Sequence, residues 1–148
     1  MEHQKKEMKK SFIAEQLARE LEALSNTDRY QRLPAIAKII RQRVGIKAII
    51  SSVEISARLK EQGIILGWQN VRKYIRLLRM SGEIKYICGG KFGYFVAADA
   101  KELKRYMDSN LRPRTKNQLG LYFAMELQQD EMTNGSEENN FDNFELIG

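Results

Sequence analysis

Gln69, Asn70, Arg72, Lys73, Arg76 and Arg79 alternate with Val71, Tyr74, Ile75 and Leu78 in the segment WQNVRKYIRLLRMSG. The apolar residues stand at i, i+3, i+4 and i+7, the spacing of one face of a helix, which puts the six polar residues on the other face. Arginine and lysine neutralise phosphates, and the side-chain amides of Gln and Asn match the donor and acceptor edge of adenine in a major groove. Four cations and two amides on one helix face therefore suit a nucleic-acid reader.

Other chemistry has little to work with. The chain holds one histidine, His3, and one cysteine, Cys88, so neither a histidine-based catalytic triad nor a Cys/His zinc cluster can be assembled. Cys88 fits two roles, a reactive thiol or a small apolar filler at the end of a strand. The carboxylates Glu54, Glu61, Glu83 and Glu102 are scattered without pairing, and Gly89, Gly90 and Gly93 fall between strand-like runs, whereas a phosphate loop must open a helix. No catalytic residue, metal or cofactor is expected, and the protein is not expected to be an enzyme.

Charge points the same way as the helix face. The 148 residues carry a net +6, yet Asp130 to Gly148 hold six acids and no Lys or Arg. Residues 1 to 129 therefore set 25 basic against 13 acidic side chains, a net of +12. A partner dense in negative charge follows, either nucleic acid or an anionic membrane surface. No apolar run approaches the length of a bilayer span, and MEHQKKEMKK lacks the apolar stretch of a signal peptide, so no membrane partner and a cytoplasmic location are expected.

The elements that must position the basic face read in order from Ser51 to Asp99. SSVEISARLKEQG predicts a helix capped by Ser51 or Ser52 and ended by Gly63. A turn, IILG, leads to the basic helix, which Gly82 stops. EIKYIC and FGYFVAA then form a hairpin whose turn is expected at Gly89-Gly90, because the favoured turns want φ > 0 at both central positions. Upstream, Leu33, Ile36, Ala37, Ile40 and Val44 mark an opening helix with Pro34 in its first turn, and Lys47 to Ile50 is a β-prone run suited to a third strand. Phe92, Tyr94 and Phe95 allow two readings, core packing of the hairpin or stacking on single-stranded bases. Trp68 either anchors the basic helix in the core or lies along a sugar-phosphate backbone.

This order, with Leu78, Arg79 and Gly82 running into a hairpin closed by Gly93 and Tyr94, resembles the winged helix-turn-helix family, especially its bacterial and phage branch. The resemblance covers about Leu33 to Ala98 and departs at the glycine-flanked, apolar turn Gly63 to Gly67. It implies a mainly α fold with a small β-hairpin or three-stranded sheet and flanking N- and C-terminal helices. It also implies that the Gly93-Tyr94 pair packs the wing onto the domain. The function implied is sequence-specific double-stranded DNA binding, as a transcriptional regulator or a replication or partition factor of a bacterium or mobile element. The expected DNA contacts are Gln69, Asn70, Arg72, Lys73, Arg76 and Arg79 from the helix, Lys91 at the wing tip and Lys85 in support.

Around that centre, residues 1–30 read as a basic N-terminal helix with Phe12, Ile13, Leu17, Leu21 and Leu24 on a stripe. The winged segment is placed at 31–99. Residues 100–129 read as two helices, the first opened by an Asp99/Glu102 capping box, the second carrying Leu119, Tyr122, Phe123, Glu126 and Leu127 on one face. That apolar surface has two outlets, a homodimer or docking on the N-terminal helix. Residues 130–148 read as a disordered acidic tail. A function of a different class fits the same elements, a winged helix serving as a protein-interaction module, because a fold does not fix its function. Salt-sensitive binding to duplex DNA separates the two.

Overall fold

The structure, a computed structural model, describes residues 2–110 and 116–137. Among the described residues six α-helices and one hairpin follow in order: α1 (Glu2–Glu22), α2 (Leu33–Arg41), α3 (Ser52–Glu61), α4 (Trp68–Ser81), β1 (Ile87–Gly90), β2 (Gly93–Val96), α5 (Ala100–Asn110) and α6 (Lys116–Glu137). The described chain is mainly helical with a small two-stranded antiparallel sheet.

The local signals act where they stand. Ser51 is extended and its hydroxyl accepts from the Glu54 amide at 3.1 Å, which caps α3. Gly82 ends α4 in the left-handed region at φ 71°, a conformation that costs other residues a Cβ clash. Asp99 Oδ1 accepts from the Glu102 amide at 2.8 Å, and Glu102 Oε1 in return accepts from the Ala98 amide at 2.9 Å, one residue before the partner of the usual capping box. Ahead of α2 a π-helical turn spans Asp28–Arg32, and Arg32 holds the Asp28 carboxylate at 2.6 Å across it.

The hairpin differs from expectation in its turn. Register pairs Gly90 with Gly93, so Lys91 and Phe92 form the two-residue loop and Gly89-Gly90 lie in β1. The glycines serve close approach instead. A Cβ on Gly89 would stand 2.6 Å from the Tyr94 ring, and one on Gly93 would stand 2.3 Å from the Ile50 carbonyl oxygen. The expected third strand is also reduced. The Ala48 amide bonds back to the Gly45 carbonyl at 3.0 Å and closes a 3-10 turn over Ile46–Ala48. Of that run Ile50 alone pairs with the hairpin, exchanging both backbone hydrogen bonds with Tyr94 at 3.0 and 2.8 Å, while Val44 upstream makes a separate parallel bridge to Val96.

Helix α4 is the centre of the core. Val71, Tyr74, Ile75, Leu77, Leu78 and Met80 are all buried, which is more than one face of a helix. One side of α4 meets α2 and α3, and the other meets α1 and α6. The flanking helices thus share one hydrophobic cluster with the central segment. On α6 the buried set is Leu121, Ala124, Met125, Gln128 and Met132, while Leu119, Tyr122, Phe123, Glu126 and Leu127 of the expected face are half-buried. The expected stripe borders α1: Phe123 meets Phe12 edge-on at 5.5 Å and Glu126 pairs with Lys9 at 3.0 Å. At Gly120 α6 lies close against α1, since a Cβ there would lie 2.1 Å from Gln16 Oε1. Part of the apolar surface of α6 is therefore taken up within the chain, by α1, α4 and α5.

The expectation of an irregular tail from Asp130 is corrected over its first residues, because α6 continues to Glu137 with Met132 buried. Burying a side chain of that size contributes about 1.5–3 kcal/mol, enough to extend a helix by a turn through a polar sequence. The rest of that segment, 138–148, and the Pro113 interruption lie outside the described residues.

Candidate nucleic-acid interface

The first two turns of α4 present a free polar face. Gln69, Asn70, Arg72 and Lys73 are exposed, with Val71, Tyr74 and Ile75 turned inward between and beyond them. Neither Arg72 nor Lys73 forms an ion pair with a described residue. Trp68, at the first position of the helix, is 43% exposed beside them. The expected anchoring of Trp68 in the core is not met, since the residue is exposed rather than buried.

The second half of α4 is occupied, and two expected DNA contacts are corrected there. Arg76 is half-buried against α1, where its guanidinium pairs with the Glu20 carboxylate and donates to Met80 Sδ at 3.1 Å. Burial lowers its pKa. Arg79 is 6% exposed: its Nε donates to the Ile87 carbonyl at 3.0 Å and its Nη2 to the Tyr106 hydroxyl at 2.6 Å. A helical period predicts one packed face, and α4 has two because α1, α5 and α6 close over its far end. Lys85 is half-buried and pairs with Glu131 of α6 at the surface. Lys91 is exposed at the hairpin tip, with Nζ 5.8 Å from the Phe92 ring centroid.

Residues that sequence reasoning missed hold these elements in place. Gln128, buried on α6, accepts from the Tyr86 amide at 2.6 Å and donates to the Arg79 carbonyl at 3.2 Å. One side chain thereby ties the end of α4 to the root of the hairpin. The available signal was an amide at i+3 from Met125 and i−4 from Met132, both core positions. At the other end, Asp28 takes hydrogen bonds from Arg32 and Tyr74, which hold its carboxyl below the usual carboxylate range. Burial first, and then the Asp28 carboxylate, push the Tyr74 phenol up to about 12.

The three hairpin aromatics divide. Phe95 is buried and Tyr94 half-buried, as core packing requires, whereas Phe92 is exposed at the tip. Cys88 is buried, its thiol directed to the Tyr86 carbonyl at 3.7 Å, and burial pushes it up to about 12. A protonated, enclosed thiol is a poor nucleophile. Among the described residues no group of three His, Cys, Asp or Glu side chains could hold a metal ion, and no helix is long and apolar enough to cross a membrane.

No protein-family model, curated protein or solved structure matches the chain.

Proposed function

We propose that this protein binds double-stranded DNA as a winged helix-turn-helix, with the first two turns of α4 in the major groove and the β1–β2 hairpin as the wing. The observation that carries the reading is the free face of Gln69, Asn70, Arg72 and Lys73, at the helix end that enters a groove first in helix-turn-helix readers. Arg72 and Lys73 meet phosphates or guanine edges, the two amides address adenine, and Lys91 takes a phosphate beside the wing. The net +12 of residues 1 to 129 supplies the long-range attraction. With Arg76 and Arg79 engaged inside the protein and Lys85 paired with Glu131 at its surface, the reading counts about three phosphate contacts, from Arg72, Lys73 and Lys91. Sequence-specific binding of this kind fits a regulator of transcription or a replication or partition factor.

The test is a titration of labelled random duplex DNA across a salt series. Three contacts give a slope of roughly −3 in log K against log[salt]. The chain's one tryptophan, Trp68, sits at the start of the reading helix, so its emission should change on binding. A second reading, a protein-interaction module, draws on Ile65 and Trp68, which leave apolar surface exposed next to the basic face. No duplex binding at low salt would decide for that module.

A further inference from the structure

Phe92 is the most exposed large apolar side chain among the described residues, at 76%. Turn geometry does not call for it. Two-residue hairpin loops are ordinarily filled by Asn, Asp or Gly, which tolerate φ > 0 or bond their own backbone. Here the loop is Lys91-Phe92, and the glycines stand on either side of it. Two of the hairpin glycines, Gly89 and Gly93, hold its base against neighbouring groups. Gly93 lies against the Ile50 backbone with no room for a Cβ, Gly89 lies under the Tyr94 ring, and Tyr94 is fastened to Ile50 by two backbone hydrogen bonds. The ring is thus carried outward on a hairpin whose base is fastened to Ile50, with a lysine ammonium 5.8 Å from its centroid.

We infer, resting on the duplex-binding reading above, that Phe92 is a wedge that enters the minor groove beside the site read by α4 and inserts between two stacked base pairs. A helix needs the wide major groove, while a two-residue tip fits the narrow minor groove that follows it along the duplex. An apolar ring gains by leaving water for the space between base pairs, and the step opens as a kink toward the major groove. Lys91, beside the ring, neutralises a phosphate flanking the opened step. The hairpin therefore acts on DNA shape and not on base edges, and the preferred sites are those with easily unstacked pyrimidine–purine steps.

The experiment uses the full chain and a duplex of about three helical turns with central TA steps. The duplex carries a dye at each end and 2-aminopurine at one central step. Wild-type protein should raise energy transfer between the ends and brighten the 2-aminopurine. Phe92→Ala, whose removal leaves an exposed site and an intact fold by circular dichroism, should bind about tenfold more weakly with the same salt slope and give neither signal. Phe92→Leu should recover part of both, since a branched apolar wedge remains. If wild type and Phe92→Ala bind and bend the duplex equally, or neither bends it, the wedge is overturned and duplex binding stands. If wild type brightens 2-aminopurine in a single strand but does not bind the duplex, or binds no DNA, both the wedge and the duplex reading fall.

Discussion

The amide of Tyr86 donates to Gln128 Oε1 at 2.6 Å across 42 residues of chain, and both groups are buried. Tyr86 sits at φ 70°, a region where side chains other than glycine are strained, so its backbone needs a fixed partner. The Ala97 amide holds its carbonyl at 2.9 Å, and Gln128 holds its N–H. By also donating to the Arg79 carbonyl, Gln128 makes the position of the hairpin depend on α6.

Gln128→Ala should therefore destabilise the fold by more than a surface change. It strips partners from two buried backbone groups, each worth about 1–3 kcal/mol when left unsatisfied. Urea denaturation should show a lower midpoint, and hydrogen exchange should show faster exchange at Tyr86. An unchanged midpoint would mean that the amide carries no part of the tie.

The arginines of α4 divide by depth. Arg72→Ala and Lys73→Ala remove exposed groups and should leave stability within about 0.5 kcal/mol while lowering the salt slope of duplex binding by about one each. Asn70→Ala should cost about 1–3 kcal/mol of discrimination at one base position and little elsewhere. Arg79→Met should do the reverse. It abandons the Ile87 carbonyl and the Tyr106 hydroxyl, so it unfolds the protein at lower denaturant. Anisotropy and denaturation on the same four proteins check the division, and a folded Arg79→Met protein with weakened binding would contradict it.

The segment from α3 to α4 was legible because its punctuation is local. Ser51 caps, Gly63 and Gly82 stop, and the apolar spacing of Val71, Tyr74, Ile75 and Leu78 fixes the inward face of α4. What closes over the far half of α4 is decided by chain far away: Glu20 on α1, Tyr106 on α5 and Gln128 on α6. No periodicity within α4 contains that information, which is why Arg76 and Arg79 read as solvent-facing. The hairpin turn was misplaced by two residues for a related reason. Gly89 is needed for what lies over it, the Tyr94 ring, and not for its own backbone angles.

Alkaline pH should weaken the fold through two buried acids. An unfolded Cys thiol ionises near 9.0 and an unfolded Tyr phenol near 10.0, whereas Cys88 and Tyr74 in the folded chain hold their protons up to about 12. The native state binds more protons in that window, so stability is full below 9.0 and falls as pH rises toward 12. Asp28 gives the opposite limb: its lowered pKa contributes stability above 3.8 that is lost as pH falls below it. Urea midpoints across the alkaline window should decline less steeply for Cys88→Ala than for wild type. Equal slopes would remove Cys88 from the account.

Gly120 tests how tightly α6 is seated on α1, because two effects of known sign compete there. In an isolated helix, Gly→Ala gains about 1 kcal/mol. In this fold the new Cβ would lie 2.1 Å from Gln16 Oε1 and 3.1 Å from Met80 Cε, inside the contact distance of both. Gln16 is buried at 5% exposure, so its side chain cannot swing into water without giving up the space it fills. The packing term should win, and Gly120→Ala should be less stable than wild type. Shortening the opposing side chain removes the conflict: Gln16→Ala combined with Gly120→Ala should be more stable than the sum of the two single changes predicts. A coupling of about 1 kcal/mol or more, measured by a double-mutant cycle in urea, is the expected result for residues in direct contact. Additive effects, or a stabilised Gly120→Ala protein, would place α6 farther from α1 than described and free the second half of α4 from its cover.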